Sequence, residues 1–217
     1  MIQHSVRRAG LMQFVYYAGL AGGANYFTLY YKELLIDNQG NPLYGVIGTI
    51  MLVQSLVSFL SPMIAGYVAD RYQITNRLIS ICSFSVALSA GLIVLPGLTP
   101  FTDLSFSAKL MLIFPGAVIS NFFLKPLVPL INTGTIKALE ESGSSVSLFG
   151  RVRVFGSIGW IITCLIMGRW LDFSGRLTDT LMAYVFFYGV LGFIAMGGFS
   201  TSVKKIDLNW SYLFQDR

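Results

Sequence analysis

An all-α membrane protein of six spans is the fold class this sequence predicts, and three observations predict it. The chain of 217 residues is 54% hydrophobic and only 12% charged, about half the charge of a soluble domain. Six apolar segments, at 9–31, 43–69, 78–98, 109–136, 152–172 and 180–201, each approach the roughly 20 residues that a bilayer crossing needs. The basic residues fall mainly in alternate connections. With a cytoplasmic N-terminus, the inner side carries Arg7, Arg8, Arg71, Arg77, Lys137, Arg151, Arg153, Lys204, Lys205 and Arg217. The outer side carries only Lys32, Lys109, Arg169 and Arg176. That asymmetry predicts a multi-pass protein of the cell (inner) membrane with both termini in the cytoplasm. The net charge of +5 is topological in this pattern, with no basic stripe to suggest nucleic acid.

Taken in order, the first span follows Arg7 and Arg8. It is too long for the apolar core of a signal peptide and lacks a clear cleavage site, so it reads as a retained helix. Gly19 and Gly23 form a small-x-x-x-small pair that permits close helix approach. Tyr30 and Tyr31 suit an interfacial belt, while Asn25 and Tyr26 sit deeper and are candidates for lining a cavity. Asp37 to Pro42 is a polar turn. In the second span Gln54, Ser58 and Ser61 share a face, which either bonds a neighbouring helix or lines water. Pro62 predicts a kink. The third span, with Ser80, Ser83, Ser85 and Ser89, speaks only for close packing.

The fourth span is the least ordinary. Asn121, Lys125 and Asn132 fall on one helix face, and Pro126 and Pro129 interrupt the helix beside them. Non-helical backbone at membrane depth survives only against protein or water. Two readings of Lys125 stand: a buried lysine facing the bundle interior or a water-filled cavity, or one snorkelling to an interface. The fifth span opens on Phe149-Gly150-Arg151-Val152-Arg153-Val154-Phe155-Gly156-Ser157-Ile158-Gly159-Trp160. Arg153, Ser157 and Trp160 lie at i, i+4 and i+7, on one face. A cation, a hydroxyl and a flat aromatic so placed suit a polyhydroxylated ligand; a headgroup arginine with a core tryptophan is the other reading. Arg169 and Asp172 close this span outside, and the sixth span reads as bulk packing.

Several chemistries have no residues to carry them. There is no phosphate-binding Walker loop, no G-x-S-x-G elbow, no H-E-x-x-H helix and no channel filter sequence. Cys82 and Cys164 fall inside apolar segments, and His4 is the sole histidine, on the N-terminal tail. No enzyme, metal site or cofactor is therefore expected.

Two motifs carry a resemblance. Gly66, Asp70 and Arg71, followed by Arg77, resemble the G-x-x-x-D-R/K loop between helices 2 and 3 of the major facilitator superfamily, with Gln73 where the family usually has glycine. The resemblance implies that Gly66, Asp70, Arg71 and Arg77 form a conformational latch. The stretch F-G-R-x-R-x-F-G-x-x-G-W resembles the start of helix 5 in lactose permease-like oligosaccharide:proton symporters, with related versions among nucleoside:proton symporters. It implies that Arg153 binds solute hydroxyls, Trp160 stacks on a ring, Ser157 faces the solute and Arg151 serves gating or an interface. The family's Pro-x-x-Glu step on helix 4 is Pro129-Leu130-Ile131-Asn132 here, after a gap of a few residues in the alignment, so the carboxylate becomes an amide. That departure speaks for a different small polar ligand, bound by Asn132, Lys125 and Asn121 as well.

The resemblance further implies a six-helix bundle over 1–202, built of two inverted three-helix repeats, with 203–217 starting a cytoplasmic linker and the second bundle absent. The expected function is secondary transport of a small polar solute such as a sugar or nucleoside, by alternating access, with the proton as coupling ion. The expected partners are that solute, the lipid bilayer and the C-terminal six-helix half of the same transporter, and no nucleic acid. Two alternatives stand beside it: a half-length, non-transporting protein acting as sensor or assembly partner, and an efflux antiporter. The fifth span disfavours the latter because it lacks the antiporters' glycine-proline signature.

Overall fold

The computed structural model describes residues 2–198, apart from Asn38, Thr99, Pro100, Thr102 and Asp103. The expected linker at 203–217, with Lys204, Lys205 and Arg217, lies outside the described residues. Among those described there are eight α-helices and no strand, only an isolated bridge between Ile36 and Pro42. They are α1 (Ile2–Gly19), α2 (Phe27–Leu34), α3 (Tyr44–Tyr72), α4 (Thr75–Val94), α5 (Phe106–Leu124), α6 (Leu127–Glu141), α7 (Phe149–Ser174) and α8 (Leu177–Met196). Five stretches are long and apolar enough to cross a membrane: Tyr44–Tyr72, Thr75–Gly97, Phe106–Glu141, Val146–Ser174 and Leu177–Met196.

The predicted first span is not among those five. Instead of one rod over 9–31, α1 begins at Ile2 and gives way to a π-helical turn at Leu20–Ala24, with α2 following from Phe27. The turn contains Gly22 and Gly23, whose backbone freedom lowers the cost of leaving α geometry. The fourth span is broken as its prolines predict. Lys125 and Pro126 separate α5 from α6, and Pro129 is accommodated in the first turn of α6, where no intrahelical donor is lost. Pro62, by contrast, sits inside an uninterrupted α3.

Polar and glycine signals place the other ends. Ser105 Oγ accepts from the Ala108 N–H at 3.4 Å and caps α5. α7 ends on Gly175 at φ 63°, a left-handed terminator. α3 ends on Gln73 at φ 53°, a left-handed residue that is not glycine.

α1 is packed by α6, α7 and α8; α5 is packed by α3 and α4; and α4 lies along α8. Glycines set these approaches. Gly19 faces the Tyr188 ring and Gly23 faces Tyr184, joining the first span to α8 as the small-residue pair predicts. Gly159 lies on the Phe14 carbonyl, and Gly116 on the Ser89 carbonyl and the Ile93 side chain. Ser80 Oγ donates to the Gly192 carbonyl at 2.8 Å, fastening α4 to α8. Two apolar clusters result. One holds Met12, Tyr16, Val86, Leu127, Ile131 and Tyr188; the other, toward the α2 end, holds Tyr30, Tyr31, Ile50, Ile113 and Leu181.

Burial is uneven. Half of the most apolar window of α4 is buried, against 17% for α3 and 22% for the stretch containing α7. α7 buries only a stripe of small and medium residues, Val152, Gly156, Gly159, Thr163 and Met167, against α1.

Candidate functional site

Arg153, Ser157 and Trp160 sit on the first three turns of α7, on one flank of its buried stripe. Arg153 and Ser157 are exposed and Trp160 is half-buried. Arg151 points to the opposite side of the helix at about 100° per residue and is exposed as well.

Helix handedness fixes where that flank lies. α1 and α7 run in the same direction, since Gly10 meets Phe155 and Phe14 meets Gly159 in ascending order. Counted around α1, Gln13 and α6 lie to one side of the α1–α7 contact. Counted around α7, Arg153, Ser157 and Trp160 lie to that same side, and Phe155 lies to the other.

On that side, Gln13 Nε2–H donates to Asn132 Oδ1 at 2.9 Å, bonding α1 to α6. Gln13 is 2% exposed and Asn132 half-buried. The predicted helix 4 amide thus has a partner on the first span. Sequence reasoning missed Gln13; the available signal was an amide set between Met12 and Phe14 in an otherwise apolar stretch.

Asn121 is half-buried, and its Nδ2–H donates back to the Ala117 carbonyl at 3.2 Å. Gln54 Nε2–H of α3 reaches the same carbonyl at 3.4 Å, so the second-span polar stripe does bond a neighbouring helix. Ser61 of that stripe is buried without a hydrogen-bond partner. Lys125 belongs to the same predicted face, and its exposure suits either of its two readings. It caps α5 at the break and its side chain is exposed. Proline supplies no amide donor to the helix at this point, and Lys125 and Pro126 keep helical dihedrals while standing between α5 and α6. Among the described residues no acid lies in ion-pair range of either Lys125 or Arg153.

Asn25 is exposed and Tyr26 half-buried, at the junction of the π-turn with α2. Both broken spans therefore bear predicted site residues at their breaks.

The motif at the end of α3 lies open. Gly66 has open space where a side chain would go, so it closes on nothing among the described residues. Asp70, Arg71 and Arg77 are all exposed. Gln73 takes the left-handed conformation itself and braces it by donating from Nε2 to the Asp70 carbonyl at 2.7 Å. The residue in place of the expected glycine has thus adopted a glycine's geometry.

Near the start of α1, Arg8 donates to the carbonyls of Gly197 and Gly198, the latter at 2.7 Å, and caps the end of α8. The sequence reading gave this arginine a topological role only. Trp170 Nε1–H donates to Asp179 Oδ2 at 3.1 Å, joining the end of α7 to the start of α8. Among the described residues no group of histidines, cysteines and acids could hold a metal ion.

Compared with known proteins, residues 8–208 match the family described as MFS_1 like family. No curated protein matches the chain, and no solved structure matches it.

Proposed function

The chain belongs to the MFS_1 like family, a transporter family of the major facilitator superfamily, and from that premise we propose that it forms the solute-binding side of a secondary transporter. As a multi-pass membrane protein it carries a small polar solute, a sugar or a nucleoside, by alternating access. The coupling ion is the proton, the membrane the inner membrane, and both termini are cytoplasmic. The six spans act as two inverted three-helix repeats, pairing across a central cavity with a second six-helix bundle.

The observation that carries this reading is the pairing of two interrupted spans. The first breaks at Leu20–Ala24 and the fourth at Lys125–Pro126, and Gln13 and Asn132 bond them together beside the Arg153 flank. Gly-interrupted and Pro-interrupted helices in corresponding places of two repeats point to a binding site, because freed backbone groups need protein, water or solute to satisfy them. The packing supports the repeats. The first span packs on the fifth and sixth as the fourth packs on the second and third, with the third against the sixth.

Arg153, Ser157, Trp160, Asn132 and Lys125 bind the solute in this reading, with Asn121, Asn25 and Tyr26 at the margin. Arg151 serves the gate, and Gly66, Asp70, Arg71 and Arg77 form the latch. The test is Arg153→Ala in the intact transporter, read by uptake in proteoliposomes and by membrane insertion. Loss of uptake with insertion retained is expected; unchanged uptake would sink the assignment. A thermal-shift screen of sugars, nucleosides and organic anions would identify the solute.

A further inference from the structure

We propose that Gln13 is a positioning residue, fixing the Asn132 amide so that the site offers N–H donors and selects solutes by an acceptor oxygen at that point. The proposal rests on the reading above, in which the Arg153 flank and Asn132 face solute.

An asparagine amide has two faces of opposite character, a carbonyl that accepts and an NH2 that donates twice. In a free side chain the two ends exchange by rotation and a ligand meets either. Here Gln13 Nε2–H occupies Asn132 Oδ1 at 2.9 Å. Gln13 is 2% exposed, held among the residues of α1 that pack against α6 and α8. With Nε2–H as the donor in that bond, the NH2 of Asn132 is the end that remains. Asn132 is only half-buried, so that end is within reach of a solute.

Asn121 shows the contrary arrangement. Its Nδ2 is spent on the Ala117 carbonyl of its own helix, leaving the oxygen free. The two asparagines of the fourth span, Asn121 on α5 and Asn132 on α6, therefore differ in polarity, and the Gln13 contact makes the difference. The groups on the α7 flank match Asn132. Arg153 has only donors, and the Trp160 indole has a single N–H. No aspartate or glutamate occurs between residues 106 and 139 or between 146 and 171, so no acid on these segments balances them. Such a surface recognises hydroxyl or carbonyl oxygens and rejects cations. Gln13 is buried between helices, where a lost polar contact is costly.

The test uses the purified full chain and two tritiated probes, uridine and methyl β-D-galactopyranoside, in equilibrium binding. Four proteins are compared: the unmodified chain, Gln13→Leu, Asn132→Leu and the double variant. A saturable probe should bind about tenfold more weakly to each single variant, the worth of one good hydrogen bond. The double variant should show that same loss, because Gln13 acts only through Asn132. Asn132→Asp supplies a second arm: it keeps an acceptor for Gln13 but replaces the NH2 with oxygen. It should weaken binding as much as leucine does while keeping the thermal midpoint. Losses that multiply in the double variant overturn the proposal, as does full affinity in Gln13→Leu or in Asn132→Asp. In those cases Asn132→Leu still weakens binding and the wider reading stands. If neither probe binds, or Asn132→Leu has no effect, the wider reading fails and takes this proposal with it.

Discussion

Gly159→Ala tests the central packing on which the candidate site depends. A methyl group at Gly159 would lie 2.5 Å from the Phe14 carbonyl oxygen of α1, about 1 Å inside van der Waals contact. The obstacle is backbone, so no rotamer change relieves it, and α7 must move away from α1. Overpacking of this kind costs about 1–3 kcal/mol, and alanine's helix propensity returns less than about 1 kcal/mol. A net loss of about 1–2 kcal/mol is therefore expected, together with weakened solute binding, since Arg153, Ser157 and Trp160 travel with the helix. Gly168→Ala, on the same helix, meets nothing within 4 Å and serves as the control. Unfolding of both variants in detergent micelles, followed by far-ultraviolet circular dichroism, gives the comparison. Gly159→Ala as stable as the unmodified protein, or Gly168→Ala equally damaged, would refute the reasoning.

The other predictions concern the loops and the fourth span. At Gln73 the left-handed backbone should penalise a β-branched residue, so Gln73→Val should lose about 1–2 kcal/mol. Gln73→Gly should lose nothing in the same thermal unfolding assay, and equal losses would dismiss the backbone account. Asp37 accepts from the backbone N–H of Asn41 and of Gln39, each at 2.8 Å, and these bonds hold its carboxyl below the ordinary range. Because the folded value is depressed, the turn's stabilisation is present above the ordinary value of about 3.9. It is lost as pH falls through the depressed one. A carboxyl titration by NMR with its midpoint at or above about 3.9 would contradict this. Lys125→Cys, with Cys82 and Cys164 replaced by serine, should react with a membrane-impermeant thiol reagent, and bound solute should slow the reaction. Inertness toward the reagent would place Lys125 against lipid.

Residue order pointed to the interruption at Lys125–Pro126, though Pro62 and Pro115 lie inside uninterrupted helices, and it gave no sign of the one at Leu20–Ala24. Pro126 cannot supply an amide donor, so the interruption beside Lys125 follows from covalent structure. The π-turn at Leu20–Ala24 has no comparable local cause. Gly22 and Gly23 permit it, and the Tyr184 ring of α8 lies over Gly23, a contact between residues far apart in the chain. Gln13 was passed over for the same reason. As one amide in an apolar run it carries no periodic signal, and its meaning lies in Asn132, 119 residues away.

Local chemistry therefore determined five of the apolar spans, the interruption at Lys125–Pro126 and the arginine–serine–tryptophan face of α7. Each follows from covalent geometry or from transfer between water and lipid, which act on a residue wherever its neighbours are. Only the tertiary structure decided that Asn132 is held by Gln13, that Lys125 is exposed and that Gly66 packs on nothing among the described residues. These depend on which helix faces meet. The Phe14 carbonyl under Gly159 and the tyrosine rings over Gly19 and Gly23 set those meetings, and no count along a single helix contains them.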